Sequence, residues 1–175
     1  MPTIVLMRHS RADRPAGCAD ADRPLSSSGW ADAAIAAELL AAAHLEEPVL
    51  ALVSPARRTQ QTWEAVSSGL PQARPLIEPT LYEADVDEMM TLAAERATSD
   101  DECRTVIVVG HNPTVHECAL ALLHASPGDR HPLSRKFPTS AIAQIRVKPG
   151  WHLTRGAGEL VDFWIPRANR NESPA

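Results

Sequence analysis

Three short apolar runs, each closing on polar or cationic residues, predict an α/β fold: a single-domain three-layer sandwich with a mostly parallel sheet and helices on both faces. The runs are Thr3 to Ser10 (TIVLMRHS), Val49 to Ser54 (VLALVS) and Thr105 to His111 (TVIVVGH). Each is rich in branched side chains and apolar at successive positions, which suits a strand buried on both faces. Stretches of helical period lie between them, and 175 residues suffice for one domain with a proper core.

In chain order, the first strand gives way to a polar stretch from Arg11 to Ser28 carrying proline, glycine and several aspartates, which reads as a long loop. Arg11, Asp13, Arg14 and Arg23 are its candidates for shaping a mouth. Ser26 to Ser28 offer N-caps for an alanine-rich helix from Gly29 to Ala43 with Ile35, Leu39 and Leu40 as its apolar stripe. After the second strand, a helix beginning near Pro55 carries Arg58, Thr62, Trp63 and Val66 at helical spacing and ends toward Pro71 and Pro75. Arg74 to Glu78 reads as a short strand at the sheet's edge, because proline cannot sit centrally. Leu81 to Asp85 leads into a helix with Val86, Met89, Met90, Leu92 and Ala93, the methionines serving as core filler. Asn112 and Pro113 fit the start of a helix over Thr114 to Ala125. Ser126 to Thr139 is a proline-rich loop bearing Arg130, His131, Arg135 and Lys136, followed by strands over Ser140 to Val147 and Glu159 to Ile165. The tail from Arg167, residues 167–175, is expected to be disordered.

Composition excludes several classes. A formal charge of −5 with no lysine-rich run argues against a nucleic-acid surface, so any cationic pocket is local. The three cysteines, Cys18, Cys103 and Cys118, have no paired spacing, which suggests neither a disulfide framework nor a cysteine zinc site and fits a reducing cytoplasm. The opening apolar run is too short for a signal peptide, and no segment approaches membrane-spanning length.

The chemistry-bearing residues gather where ligands bind in open α/β sheets, outside the carboxyl ends of the strands. The first strand delivers Arg8 and His9 there, the third His111, and the helix after the second either Arg57 or Arg58. Periodicity favours Arg58, which shares a helix face with Thr62 while Arg57 points about a hundred degrees away. Cations gathered where helices begin call for an anion, and phosphate is the anion that suits arginine forks. A zinc reading of His111, His116 and Cys118 fails on spacing, since His111 and His116 are not at the i, i+4 separation that brings two ligands together on a helix.

Arg8-His9 after an N-terminal strand, Ser54 with Arg58 and Thr62, and Gly110-His111 resemble the histidine phosphatase superfamily, and the short chain is similar to its SixA-like phosphohistidine phosphatase branch. Asp22 to Gly29 and Leu81-Tyr82-Glu83 also resemble that branch, and the likeness runs from Thr3 to about Val147. The resemblance implies a histidine-phosphatase-like domain over residues 1–166. Ser10 departs from it, standing where much of the superfamily has glycine; its hydroxymethyl group narrows the approach of backbone to phosphate.

Phosphoryl transfer asks the protein for positioning and for charge stabilisation over three equatorial oxygens. Arg8, Arg58 and His111 can bind those oxygens, leaving His9 as an in-line nucleophile that forms a phosphohistidine later hydrolysed by water, with no metal or other cofactor. The resemblance assigns the same roles to the same positions. A neutral His9 further requires a carbonyl or carboxylate at its other ring nitrogen to fix the tautomer. The general acid is less evident: Glu83 is the candidate, with Asp85 and Asp87 behind it. An imidazole leaving group, with a conjugate-acid pKa of about 6.5, needs less acid help than an alkoxide. The expected activity is therefore a protein phosphohistidine phosphatase acting on a signalling phosphocarrier or kinase domain. The alternatives are a small-molecule phosphomonoesterase acting on a phosphorylated metabolite, differing in the loops 11–28 and 126–139, and a non-catalytic phosphate-binding module.

Overall fold

The computed structural model describes residues 1–99, 102–123 and 132–168. Its elements run β1 (Thr3–Arg8), α1 (Ser27–Ala42), β2 (Val49–Val53), α2 (Arg57–Val66), β3 (Arg74–Ile77), α3 (Val86–Thr98), β4 (Thr105–Gly110), α4 (Thr114–Leu123), α5 (Pro132–Arg135), β5 (Ile142–Val147) and β6 (Gly158–Trp164). One six-stranded sheet has the order β3-β2-β4-β1-β5-β6. The first four strands in that order pair parallel, and β5 and β6 add antiparallel.

The apolar runs become the buried central strands because each side chain faces one of two cores. Ile4, Leu6, Leu50, Leu52, Val106 and Val108 pack with residues of α3 and α4. Val5, Met7, Ala51, Val53, Ile107 and Val109 pack with residues of α1 and α2. The alternation is the three-layer arrangement written at single-residue period. β3 is an edge strand, exposed throughout, which is where Pro75 can lie without breaking a ladder.

Several boundaries differ from expectation for local reasons. α1 starts at Ser27 because Ser26 is its cap, the Ser26 hydroxyl accepting from the Gly29 N–H at 3.0 Å. Its buried face is Ala33, Ala36, Ala37 and Leu40, whereas Ile35 and Leu39 are only partly covered. Small side chains let the helix sit close. A Cβ on Gly29 would stand 2.1 Å from the Arg11 carbonyl oxygen. α2 ends at Val66, before the prolines, through a 3-10 turn over Ser67–Gly69 in which the Ser67 and Ser68 hydroxyls donate to the Glu64 and Ala65 carbonyls.

The stretch from Arg11 to Ser28 is more ordered than a plain loop. Its two limbs pair at Ala12 and Leu25, with Asp13 N–H donating to the Pro24 carbonyl and Ser26 N–H to the Arg11 carbonyl, and its tip carries a 3-10 turn over Asp20–Asp22. Of the loop expected over Ser126 to Thr139, residues 126–131, with Arg130 and His131, lie outside the described residues, as does the end of the helix expected to reach Ala125. The remainder forms α5 and a segment that buries Phe137, while Arg135 and Lys136 are exposed. Arg167 and Ala168, expected in a disordered tail, are instead held to Asp32: the Ala168 N–H donates to its carboxylate at 2.9 Å and the Arg167 guanidinium lies 3.6 Å away. Residues 169–175 lie outside the described residues. Among the described residues no helix is long and apolar enough to cross a membrane.

Candidate active site

Strand register brings the two histidines together. β1 and β4 pair parallel with Arg8 opposite Gly110, so the next residue of each strand, His9 and His111, leaves the sheet side by side. The His9 N–H donates to the Gly110 carbonyl at 3.0 Å, and the two rings stand 5.3 Å apart between centroids. β2 ends alongside, its Ser54 N–H donating to the Val109 carbonyl at 3.1 Å and its hydroxyl lying 2.7 Å from His111 Nε2. α2 then begins with Arg57 exposed and Arg58 buried, as helical spacing required. Arg58 Nη2 reaches to 3.3 Å from His111 Nδ1, and Arg8 Nη1 donates to the Phe137 carbonyl at 3.1 Å. Arg8, His9, Arg58 and His111 thus converge at one sheet edge from three elements.

Both guanidinium groups are tied back by their terminal nitrogens. Arg58 Nη1 donates to the Asp20 carbonyl at 2.7 Å and Nη2 to its carboxylate at 3.0 Å. Among the described residues the Nε atoms of Arg8 and Arg58 are buried without a hydrogen-bond partner. Buried guanidinium donors beside a pair of imidazoles have the chemistry to pair with an anion.

The imidazoles are held neutral. Burial pushes His9 down to about 3, the Ser10 carbonyl opposing it and His111, Arg58 and Arg8 reinforcing it. Burial, then Arg58, pushes His111 down to about 4. The carbonyl expected at the second ring nitrogen of His9 is that of Ser10, 2.7 Å from Nδ1. A carbonyl only accepts, so Nδ1 carries the proton and Nε2 keeps its lone pair. The Ser10 hydroxyl itself turns into a buried contact, accepting from Ser140 Oγ at 2.7 Å, while the Ser10 N–H donates to Thr62 Oγ1 at 2.9 Å. Thr62 therefore braces the loop after β1.

Three contributors were not among the predicted site residues, although the sequence marked Tyr82 within the resemblance and Asn112 as a helix start. Asp20 joins the mouth loop to the site: its carboxylate accepts from Arg58, from the Tyr82 hydroxyl at 2.7 Å and from Arg23 at 3.3 Å. The Tyr82 hydroxyl foremost, then Arg23 and Arg58, holds that carboxyl down to about 2. Tyr82 also stands edge-on to His111, centroids 5.6 Å apart. Asn112 shares the Phe137 carbonyl with Arg8, donating to it at 2.8 Å. Of the residues named for the mouth, Arg11, Asp13 and Arg14 are exposed, and Arg23 is partly covered, with its Nε on the Asp13 carbonyl. Glu83 follows Tyr82 directly and is exposed; among the described residues its carboxylate has no hydrogen-bond or ion-pair partner. Asp85 caps α3 by accepting from the Glu88 N–H, and Asp87 is exposed, 3.7 Å from Arg155. His116 places Nε2 2.8 Å from the Leu133 carbonyl, and Cys118 is buried among apolar side chains.

The profile of the histidine phosphatase superfamily (branch 1) matches residues 4–102, which include β1 from Ile4 onward, β2, α2 and Tyr82-Glu83. The chain belongs to the histidine phosphatase superfamily. Within it, an uncharacterized protein of Mycobacterium tuberculosis (strain ATCC 25618 / H37Rv) is 36% identical over 165 residues, covering 92% of this chain and 100% of that protein. Among solved structures, a Nakamurella multipartitia protein assigned as phosphohistidine phosphatase SixA superposes with TM-score 0.80 at 29% identity, covering 95% of this chain and 97% of that one. The protein histidine phosphatase SixA complexed with tungstate superposes with TM-score 0.70 at 25% identity, covering 92% of this chain and 95% of that one. This superfamily member is a phosphatase with SixA-like neighbours, and its sheet is the mixed, mostly parallel sheet of that fold.

Proposed function

We propose that the protein is a metal-independent phosphatase that works through a phosphohistidine on His9, and that its substrate is a protein phosphohistidine. The observation that carries this reading is the fixed tautomer of His9: Nδ1 donates to the Ser10 carbonyl, so Nε2 keeps a lone pair in a ring that lies near Arg58, Arg8 and His111. Nε2 attacks phosphorus in line, forming the N–P bond as the bond to the leaving atom breaks. Arg8, Arg58 and His111 hold the equatorial oxygens, where negative charge spreads in the transition state. Water then attacks the phosphohistidine, releasing inorganic phosphate and restoring His9. These donors supply the charge that a metal would otherwise bring, so chelators should leave turnover unchanged.

The substrate reading rests on the leaving group. Imidazole is weakly basic and needs little protonation, which matches a site whose leading acid candidate, Glu83, is exposed. The SixA proteins to which the chain is similar bear the matching name. A phosphorylated small metabolite is the second reading, in which Glu83, next in sequence to Tyr82, would protonate an alkoxide. Residues 1–166 carry the catalytic domain in this proposal, and a reducing cytoplasm suits the thiols Cys18, Cys103 and Cys118.

The test is turnover of a generic aryl phosphate by wild type and His9→Ala, followed by comparison of a phosphohistidine protein with sugar and nucleotide phosphates. Loss of turnover in His9→Ala and a kcat/KM at least tenfold higher for phosphohistidine are expected. Undiminished turnover in His9→Ala would remove the covalent mechanism, and preference for a sugar or nucleotide phosphate would replace the substrate.

A further inference from the structure

Ser54 has no role in the steps above, yet it is fully buried and its hydroxyl lies 2.7 Å from His111 Nε2. Its backbone is fixed on both sides, the N–H by the Val109 carbonyl and the carbonyl by Thr59 Oγ1 at 2.7 Å. The hydroxyl therefore has a set place at the end of β2. Across the ring, Arg58 Nη2 is 3.3 Å from Nδ1. A guanidinium has donors only, so a proton on Nδ1 would set donor against donor. The proton of the neutral ring sits instead on Nε2, where the Ser54 oxygen accepts it, and Nδ1 shows its lone pair.

We propose that Ser54 is a positioning residue that holds His111 as the Nε2–H tautomer, so that Nδ1 takes up a proton when a dianionic phosphoryl group enters and returns it as a hydrogen bond. This rests on reading His111 as part of the phosphoryl pocket. The proton comes from solvent, an N–H bond forms at Nδ1, none breaks at Nε2, and the ring passes from neutral to singly charged. The groups facing it are Arg58 from α2, Arg8 and His9 from the end of β1, Tyr82 from the turn Pro79–Tyr82, and Asp20 from the mouth loop. Burial foremost, then Arg58 and Arg8, oppose a further proton, and Asp20 favours it. An entering dianion adds two negative charges and reverses that balance. Ser54 is suited to the task because its oxygen accepts from Nε2 before and after uptake, so only the pocket-facing nitrogen changes state.

The experiment is calorimetric titration of the full chain with tungstate at pH 8, in buffers of different ionisation enthalpy, with 15N spectra of the imidazoles. Tungstate is a dianion there and brings no proton of its own. Uptake of about one proton per bound ion is expected, with Nε2 alone protonated in the free protein and both His111 nitrogens protonated in the complex. Uptake lost in His111→Gln and kept in His9→Gln assigns the proton. Ser54→Ala should weaken tungstate about tenfold or more, consistent with losing a hydrogen bond to a charged group, and Ser54→Thr should restore both affinity and uptake. Tungstate bound without proton uptake, or a free protein whose His111 is protonated at Nδ1, would overturn the proposal while leaving the pocket in place. Failure of wild type to bind tungstate at all would overturn the pocket itself. If Ser54→Ala does not fold, the wild-type spectra and calorimetry still decide.

Discussion

Arg57 and Arg58 are adjacent in the chain and opposite in surroundings, one exposed and the other buried against His111 and Asp20. Removing a donor aimed at developing charge costs about a hundred- to a thousandfold in kcat. Arg58→Ala is expected to lose that much aryl phosphate turnover and Arg57→Ala to stay within about twofold, as an exposed charge should; thermal melting of both variants separates a lost donor from a lost fold. The same residue scale sets the pH response. His9 and His111 are held neutral by burial, down to about 3 and about 4, whereas histidines of the unfolded chain titrate near 6.5. The unfolded state therefore binds more protons across that window, so stability is full above about pH 6.5 and is lost as pH falls through it. In buffer free of phosphate, neither ring should show an NMR titration midpoint between pH 5.5 and 8, a window bracketing the unperturbed value of about 6.5. The melting temperature should fall more steeply on acidification for wild type than for a His9→Asn, His111→Asn double variant. A midpoint near 6.5 for either ring would contradict its burial. At this scale the sequence marked Arg8, His9, Arg58 and His111, because each ends an apolar run or opens a helix. Asp20 was not legible, and Tyr82 was marked only within the stretch Leu81-Tyr82-Glu83 that carries the resemblance: Asp20 stands 38 residues from Arg58 and 62 from Tyr82, and no local period links such positions.

At the scale of elements, the mouth loop is fastened to α1 through Ser26 and Gly29. The Ser26 hydroxyl caps the helix and also donates to the Arg11 carbonyl, while Gly29 leaves room for that carbonyl. Losing a serine cap costs about 1 kcal/mol, which for a domain of this size corresponds to a fall in melting temperature of about 2–4 °C. Ser26→Ala should show that loss with near-normal activity. Gly29→Ala is the harsher change, since its Cβ meets backbone at 2.1 Å and the loop carrying Asp20 must move. Its expected signature is a raised KM for aryl phosphate together with lower melting; an unchanged KM would mean that the loop's position does not reach the site. The serine cluster before α1 was readable as a cap, and the helix's buried face only in part. Hydrophobicity pointed to Ile35, Leu39 and Leu40; Leu40 is buried in the core, while Ala33, Ala36 and Ala37 are buried where Ile35 and Leu39 are only partly covered.

At the scale of the whole molecule, the site is a consequence of strand order. With β4 between β1 and β2, three parallel strands end together, and their following residues meet without any one segment containing the site. The fold was legible because continuous apolar runs are what doubly covered strands require, while the pairing order left no mark in any single run. In the proposed site an anion would pair with the buried guanidinium nitrogens of Arg8 and Arg58. Anion binding should therefore act on the stability of the whole chain by mass action. An oxyanion such as tungstate or vanadate at a hundred times its dissociation constant contributes about 2.7 kcal/mol, which in a chain of this length raises the melting temperature by about 5–10 °C. Arg8→Ala and His111→Ala should lose most of the increment at the same concentration, and Arg57→Ala should keep it. EDTA should alter neither melting nor turnover, since the anion is met by arginine and imidazole; turnover that collapses with EDTA and returns with a divalent ion would assign part of the charge stabilisation to a metal instead.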